Sequence, residues 1–274
     1  EPVQATGLVA GHTGRWIEAR LEAEGIAHAF HRLPEGESRL CLAIVQPGGG
    51  ALTEINEDGP FVPRAEFEAF AARYAALVGE SDWVALSGSL PPGLDGEAYM
   101  ALMAEARSAG KAVSLDTSGP ALRRAIEGRP DVVKPNQHEA EEALGYAITP
   151  ESLPRALGEL LDLGARRVAL TLGEAGAAIA TRDQAFFLTA PRVEPVNPVG
   201  SGDSFLAALI FGLRRGMPLA EAGRWAVAAG TANACVAGAA ACSRAQIETL
   251  LPHVTVSPLA EATWGPASIG KGAS

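Results

Sequence analysis

Between residues 82 and 173, short apolar runs alternate with helical patterns, and that alternation limits the possible folds more than any other feature of the chain. "DWVALSGS" (82–89) reads as a buried strand ending in a small-residue turn, and "DGEAYMALMAEARSAG" (95–110) as an amphipathic helix stopped by glycine. Strand-like "KAVSLD" (111–116), helical "GPALRRAIEG" (119–128) and strand-like "DVVKPN" (131–136) follow. Then come helical "QHEAEEALG" (137–145) and "PESLPRALGELLDLG" (150–164), and strand-like "RRVALTLG" (166–173). Strands that are apolar throughout, rather than alternating, suit a parallel sheet covered on both faces. The β-α-β-α order predicts right-handed crossovers and a three-layer α/β/α body around a mostly parallel central sheet.

Two regions break the rhythm. "HAFHRL" (28–33), "RLCLAIVQ" (39–46) and "ALTEIN" (51–56) read as three short strands joined by the turn-forming "PEGES" and "PGGG". They predict a small antiparallel β flap, or lid, inserted early in the body. Residues 257–274 are rich in Gly, Ala, Ser and Pro and read as a tail or linker, leaving 1–256 as a single domain with 28–56 contributing to the lid.

Composition narrows the partners. Of 274 residues, 22 are Lys or Arg and 32 are Asp or Glu, a formal net charge of −10. This excess argues against nucleic acid or an anionic membrane as the main partner, while a small anion held by a few local donors remains compatible. Cys41, Cys235 and Cys242 form no CxxC pattern and read as reduced cysteines. No apolar run approaches the ~20 residues of a membrane span, and the chain opens without a basic leader, so a cytoplasmic protein is expected.

Four stretches at predicted strand ends or turns carry candidate chemistry. In "VNPVGSGDSF" (196–205), Gly200, Ser201 and Gly202 lead into a helix whose start would present N–H groups and the positive dipole end to an anion. Asp203 beside them is either a cap on that dipole or a base taking a proton from a hydroxyl that attacks a phosphoryl group. The stretch matches neither the dinucleotide fingerprint nor a Walker loop. In "KPNQHE" (134–139), Asn136 and Glu139 form either a capping box or a pair of oxygen groups facing hydrated Mg²⁺, with Lys134 adding charge at the strand end. "TLGEAGA" (171–177) is either a glycine-rich hairpin or a loop whose amides and Thr171 hydroxyl accompany nucleotide phosphates. "SGSLPPG" (87–93) is a further strand-end turn. Ligands of open α/β sheets bind at the carboxyl ends of the strands, which is where such turns converge.

Together these residues resemble the ribokinase-like (PfkB) carbohydrate kinases, and most closely the 1-phosphofructokinase and tagatose-6-phosphate kinase branch. "SGSLPPG", "LDTSG", "KPNQHE", "TLGEAGA", "NPVGSGDSF" and "WAVAAGTANA" (225–234) occur in the family's order, and the likeness runs from about Ala5 to Val256. The resemblance implies a ribokinase-like fold with a β lid, Asp203 as general base, and Gly200, Ser201 and Gly202 as the anion hole. It places Asn136 and Glu139 around Mg²⁺, through water, and Lys134 near the nucleotide phosphates. It puts Thr171, Gly173 and Gly176 along the ATP loop and Val227, Thr231 and Asn233 near the adenine. Arg39, in "GESRLCLAI", falls where this branch has an arginine for the substrate's phosphate; on the residues alone it is equally a surface arginine on an exposed strand. The carbonyls around Asn197 and Val199 correspond to a monovalent-cation site in some relatives.

The implied activity is transfer of the γ-phosphoryl of ATP to a phosphorylated ketohexose, fructose 1-phosphate or tagatose 6-phosphate first. Alternatives are a kinase of an unphosphorylated sugar or nucleoside, and a non-catalytic relative that binds sugar or nucleotide. The open-edged flap is expected to pair two copies. Relatives also carry a first β-α unit with a "GGKGxN" loop ahead of the segment that "EPVQATGLVAGHTGRWIEARLEAEGI" matches; incomplete coverage of the sequence is the expected reason that this unit is not found. "IGKGAS" near the C-terminus echoes only part of that loop.

Overall fold

A computed structural model describes residues 2–45 and 52–261. The chain opens with β1 (Gln4–Ala5), β2 (Leu8–Val9), α1 (Gly11–Ala23), β3 (Ala27–His28) and β4 (His31–Arg32), followed by the strands β5 (Cys41–Val45) and β6 (Leu52–Asn56). The body continues through α2 (Arg64–Val78), β7 (Trp83–Ser87), α3 (Gly96–Ser108), β8 (Ala112–Asp116), α4 (Pro120–Ile126), β9 (Val132–Val133), α5 (Gln137–Leu144) and α6 (Leu153–Asp162). It ends with β10 (Val168–Thr171), β11 (Gly176–Ala180), β12 (Ala185–Thr189), α7 (Ser201–Arg214), α8 (Leu219–Ala234), α9 (Arg244–Leu250) and β13 (Thr255–Pro258).

One seven-stranded sheet, ordered β13-β12-β11-β10-β9-β8-β7, forms the centre. β7 to β10 run parallel, as the apolar strands predict, and β11 to β13 add an antiparallel edge. β7, at the other end of the sheet, is not the buried strand expected, since only Leu86 of it is buried. On one face Tyr74 of α2, Met103 of α3, Ile126 of α4 and Leu160 of α6 close over Leu115, Val133 and Leu170. On the other, Phe205 and Leu209 of α7 and Ala226 of α8 pack on Val132, Ile179 and Leu188. These two apolar layers make the three-layer body. Among the described residues no helix is long and apolar enough to cross a membrane.

Two expectations need correction. Residues 28–33 do not join the flap: β3 and β4 lie within them or at their edge and pair in parallel with β1 and β2. The antiparallel flap consists of β5 and β6 alone, with Leu42 opposite Ile55. Gln46, Ala51 and the "PGGG" between them lie outside the described residues. The tail assigned from 257 begins later, because Ser257 and Pro258 complete β13 against β12 and a 3₁₀ turn follows at Leu259–Glu261. Residues 262–274 lie outside the described residues.

The pairs β1–β3 and β2–β4 stand apart from the seven-stranded sheet. Between them and β7 lies a cavity of about 1630 Å³, walled by residues such as Val9, Phe70, Trp83 and Phe211 and reaching Asp203 at α7.

Candidate active site

The floor of the site is built at the carboxyl ends of β8 and β9. Asp116 is the last residue of β8, and Lys134 follows β9. Lys134 is buried, and its Nζ lies 3.1 Å from Asp116 Oδ2. Burial pushes the Asp116 carboxyl above its ordinary value, the Lys134 ammonium opposes the shift, and Glu139 and Asp203 reinforce it. These four groups therefore share one electrostatic neighbourhood.

α7 starts against that floor. Gly200 precedes it with φ +82°, and a Cβ there would lie 2.5 Å from the Ala240 backbone nitrogen, so the turn requires glycine. A Cβ on Gly202 would lie 3.3 Å from Lys134 Nζ, which puts the ammonium beside the first turn of α7. The helix's unpaired N–H groups, its dipole and the lysine charge thus favour an anion at one place. Asp203, in the same first turn, is solvent-exposed and lines the cavity.

Asn136 and Glu139 form a complete capping box. Asn136 Oδ1 accepts from the Glu139 backbone N–H at 2.9 Å, and Glu139 Oε2 accepts from the Asn136 N–H at 2.8 Å. The capping reading is realised, and the second carboxylate oxygen of Glu139 makes no hydrogen bond among the described residues. Asn136 also bridges in parallel to Thr171 at the end of β10, which brings "KPNQHE" and "TLGEAGA" side by side. The latter is a hairpin between β10 and β11 with a 3₁₀ turn at Gly173–Ala175. Gly173 is exposed, whereas Gly176 is buried against the Leu188 carbonyl.

The α8 residues separate. Val227 and Asn233 are buried, while Thr231 is half-buried and its hydroxyl donates to the Val227 carbonyl. Asn233 Nδ2 donates to the Val199 carbonyl at 2.9 Å and to Ser201 Oγ at 3.3 Å, and its Oδ1 accepts from the Ala241 N–H. A fully buried side chain with these bonds ties down the turn before α7 and has no surface to offer an adenine ring. The Asn197 side chain accepts from the Val199 N–H at 3.0 Å, so the same turn is braced twice.

Arg39 precedes β5 and lines the same cavity as Asp203, together with Ser38, Asp58, Ser87 and Ser89. It is exposed, and among the described residues it makes no hydrogen bond or ion pair. Tyr99, whose hydroxyl donates to the Gly88 carbonyl at 2.8 Å, also faces this space. Burial pushes its phenol up to about 12, and the Arg39 charge partly offsets that shift.

Asp116 was overlooked as a site residue by sequence reasoning, although "LDTSG" contains it. The available signal was an acid at a strand's carboxyl end, one strand from a lysine at the same level.

A helix start that favours an anion, a carboxylate in its first turn, and an arginine lining the same cavity define a phosphotransferase-type α/β protein. The family description "pfkB family carbohydrate kinase" matches residues 1–246, and the chain belongs to that family. It is 39% identical over 228 residues to the 1-phosphofructokinase of Rhodobacter capsulatus, covering 82% of this chain and 72% of that protein. It is 34% identical over 258 residues to the 1-phosphofructokinase of Bacillus subtilis, covering 93% and 82%. Among solved structures, phosphofructokinase-2 from Escherichia coli in complex with potassium superposes with a TM-score of 0.84 at 27% identity, covering 92% of this chain and 82% of that one.

Proposed function

We propose that this chain transfers the γ-phosphoryl group of ATP to a hydroxyl of a ketohexose that already carries a phosphate, fructose 1-phosphate before tagatose 6-phosphate. The observation that carries the reading is Arg39, without a partner among the described residues, in the cavity that Asp203 also lines. An arginine fork suits a phosphate already on the substrate, and a carboxylate suits the hydroxyl that attacks. The relatives named 1-phosphofructokinase support the same substrate class.

In this reading Asp203 takes the proton of the sugar hydroxyl as its oxygen bonds to the γ-phosphorus, and the bond to the β–γ bridging oxygen breaks to release ADP. The N–H groups of Gly200 and Gly202 and the Lys134 ammonium hold the phosphoryl oxygens, whereas the Ser201 N–H donates to the Pro198 carbonyl at 3.1 Å and keeps the turn in shape; positioning and electrostatics supply most of the rate. The half-buried Thr231 and the exposed Gly173 border the nucleotide side, with Thr171 beside them; Val227, Gly176 and Asn233 shape that side from within. The donor chemistry fits Mg²⁺: Asn136 and the free oxygen of Glu139 would hold it through water, since Mg²⁺ keeps most of its hydration. When bound, the ion neutralises charge on the transferring phosphates. The carbonyls around Asn197 and Val199 would hold a monovalent cation, with that of Val199 also accepting from Asn233 Nδ2.

The flap supports a homodimer. A two-stranded hairpin is marginal alone, and Leu42, Ile44 and Ile55 are 55%, 58% and 53% exposed on one face of it.

ADP release measured over a panel of fructose, fructose 1-phosphate, fructose 6-phosphate and tagatose 6-phosphate tests the substrate. Turnover of fructose with an efficiency equal to that of its phosphates would discard the reading.

A further inference from the structure

Among the described residues Arg39 has no hydrogen bond or ion pair, whereas the residues on either side of it are held. α1 begins at Gly11 with Ala10 as its N-cap, has no side-chain cap of its own and carries no acid in its first turn. The missing partners come from residues 37 and 38. Glu37 Oε2 accepts from the Thr13 N–H at 3.0 Å, and Glu37 Oε1 lies 3.1 Å from His12 Nδ1. Ser38 Oγ accepts from the Ala10 N–H at 2.8 Å, and the Ser38 N–H donates to the Ala10 carbonyl at 3.1 Å. Gly11, with φ +61°, leaves the room for this arrangement: a Cβ there would sit 2.1 Å from the Glu37 carboxyl carbon. On the other side of Arg39, the Leu40 N–H donates to Glu57 Oε2 at 2.9 Å and the Leu40 carbonyl accepts from the Glu57 N–H at 3.1 Å.

Arg39 is thus bracketed by two pinned residues while its own guanidinium is uncommitted. A carboxylate two positions away is the natural competitor for an arginine, and here it is spent on the N–H groups and positive end of α1. We infer that Glu37 is a positioning residue for substrate: by docking onto the α1 N-terminus it fixes the backbone of Arg39 and withholds its own carboxylate from the guanidinium, leaving Arg39 free for the sugar's phosphate. The inference rests on the assignment of Arg39 in the proposed function. It adds a residue that touches no substrate and acts through the one that does.

A double-mutant cycle tests it, with KM for fructose 1-phosphate and for ATP as separate readouts. Glu37→Ala should raise the KM for fructose 1-phosphate about tenfold, with kcat and the KM for ATP within about twofold of wild type. Glu37→Gln, which keeps an acceptor for the Thr13 N–H, should stay within about threefold. Gly11→Ala, which evicts the carboxylate and also strains the left-handed turn at φ +61°, should raise the KM for fructose 1-phosphate at least as much as Glu37→Ala. In an Arg39→Ala background, Glu37→Ala should add nothing to KM. If Arg39→Ala itself leaves the KM for fructose 1-phosphate unchanged, the assignment of Arg39 falls and the inference with it. If Arg39→Ala raises that KM while Glu37→Ala does not, or adds its full effect in the Arg39→Ala background, the assignment stands and Glu37 is only a helix cap. A Glu37→Ala protein that loses kcat and ATP affinity together would likewise mark a structural role and overturn the inference.

Discussion

The Lys134 ammonium rests 3.1 Å from the Asp116 carboxylate, at the ends of neighbouring parallel strands and directly beneath the first turn of α7. Their side chains are only 5% and 14% exposed, so each charge depends on the other for compensation. Breaking a buried pair leaves an uncompensated charge and costs roughly 3–5 kcal/mol, whereas removing both partners costs far less. Lys134→Met and Asp116→Asn should each lower stability by about that amount in urea unfolding, and the double variant should be more stable than the sum of the two losses. Lys134→Met should also weaken ATP binding, since the charge facing the α7 N-terminus is gone.

Gly200 and Gly202 separate fold from chemistry within one tripeptide. At Gly200 a side chain meets both a left-handed φ of +82° and the Ala240 backbone at 2.5 Å. Gly200→Ala should therefore destabilise the protein by at least about 1–3 kcal/mol. At Gly202 φ is ordinary and the nearest atom is Lys134 Nζ at 3.3 Å, a contact that a shift of a few tenths of an ångström relieves without breaking the pair with Asp116. Gly202→Ala should melt close to wild type yet lose roughly 10²-fold in kcat, because its methyl group intrudes where the phosphoryl oxygens would sit. Equal activity losses scaled only by stability would remove the anion hole from this turn.

The parallel core was readable because strands such as Trp83–Ser87 and Val168–Thr171 are apolar up to their last residue and separated by helical periods. "HAFHRL" misled because a short strand beside the turn-forming "PEGES" carries no information on whether its partner runs parallel or antiparallel. Its actual partners, β1 and β2, are two residues each and leave almost no pattern. Asn233 shows the other limit. A small polar residue on a helix looks available for a ligand until tertiary packing brings the Val199 carbonyl and the Ala241 N–H to it. The meaning of Asp116 likewise depends on Lys134, eighteen positions on but one strand away.

The flap should hold two copies together. Light scattering during size-exclusion chromatography should give a dimer for the wild type. A charge on the exposed apolar face, introduced as Leu42→Lys with Ile44→Lys, should give a folded monomer, because like charges would face each other across a two-fold contact. A monomeric wild type would return these leucine and isoleucine side chains to the surface without a partner.

The α1 cap has a pH signature of defined sign. Hydrogen bonds from the His12 and Thr13 backbone N–H groups, joined by the His12 side chain, hold the Glu37 carboxyl down at about 2. A carboxyl depressed in the folded state stabilises that state fully above its ordinary value of about 4.5 and loses the contribution as pH falls from there towards about 2. Wild type should therefore melt above Glu37→Gln at pH 5 to 7, and the gap should narrow as pH falls below about 4.5. Because the glutamine has no carboxyl to protonate, its own melting curve supplies the background acid sensitivity of the rest of the chain. A gap that is constant from pH 6 to pH 3 would mean that the charge of Glu37 contributes nothing at the start of α1.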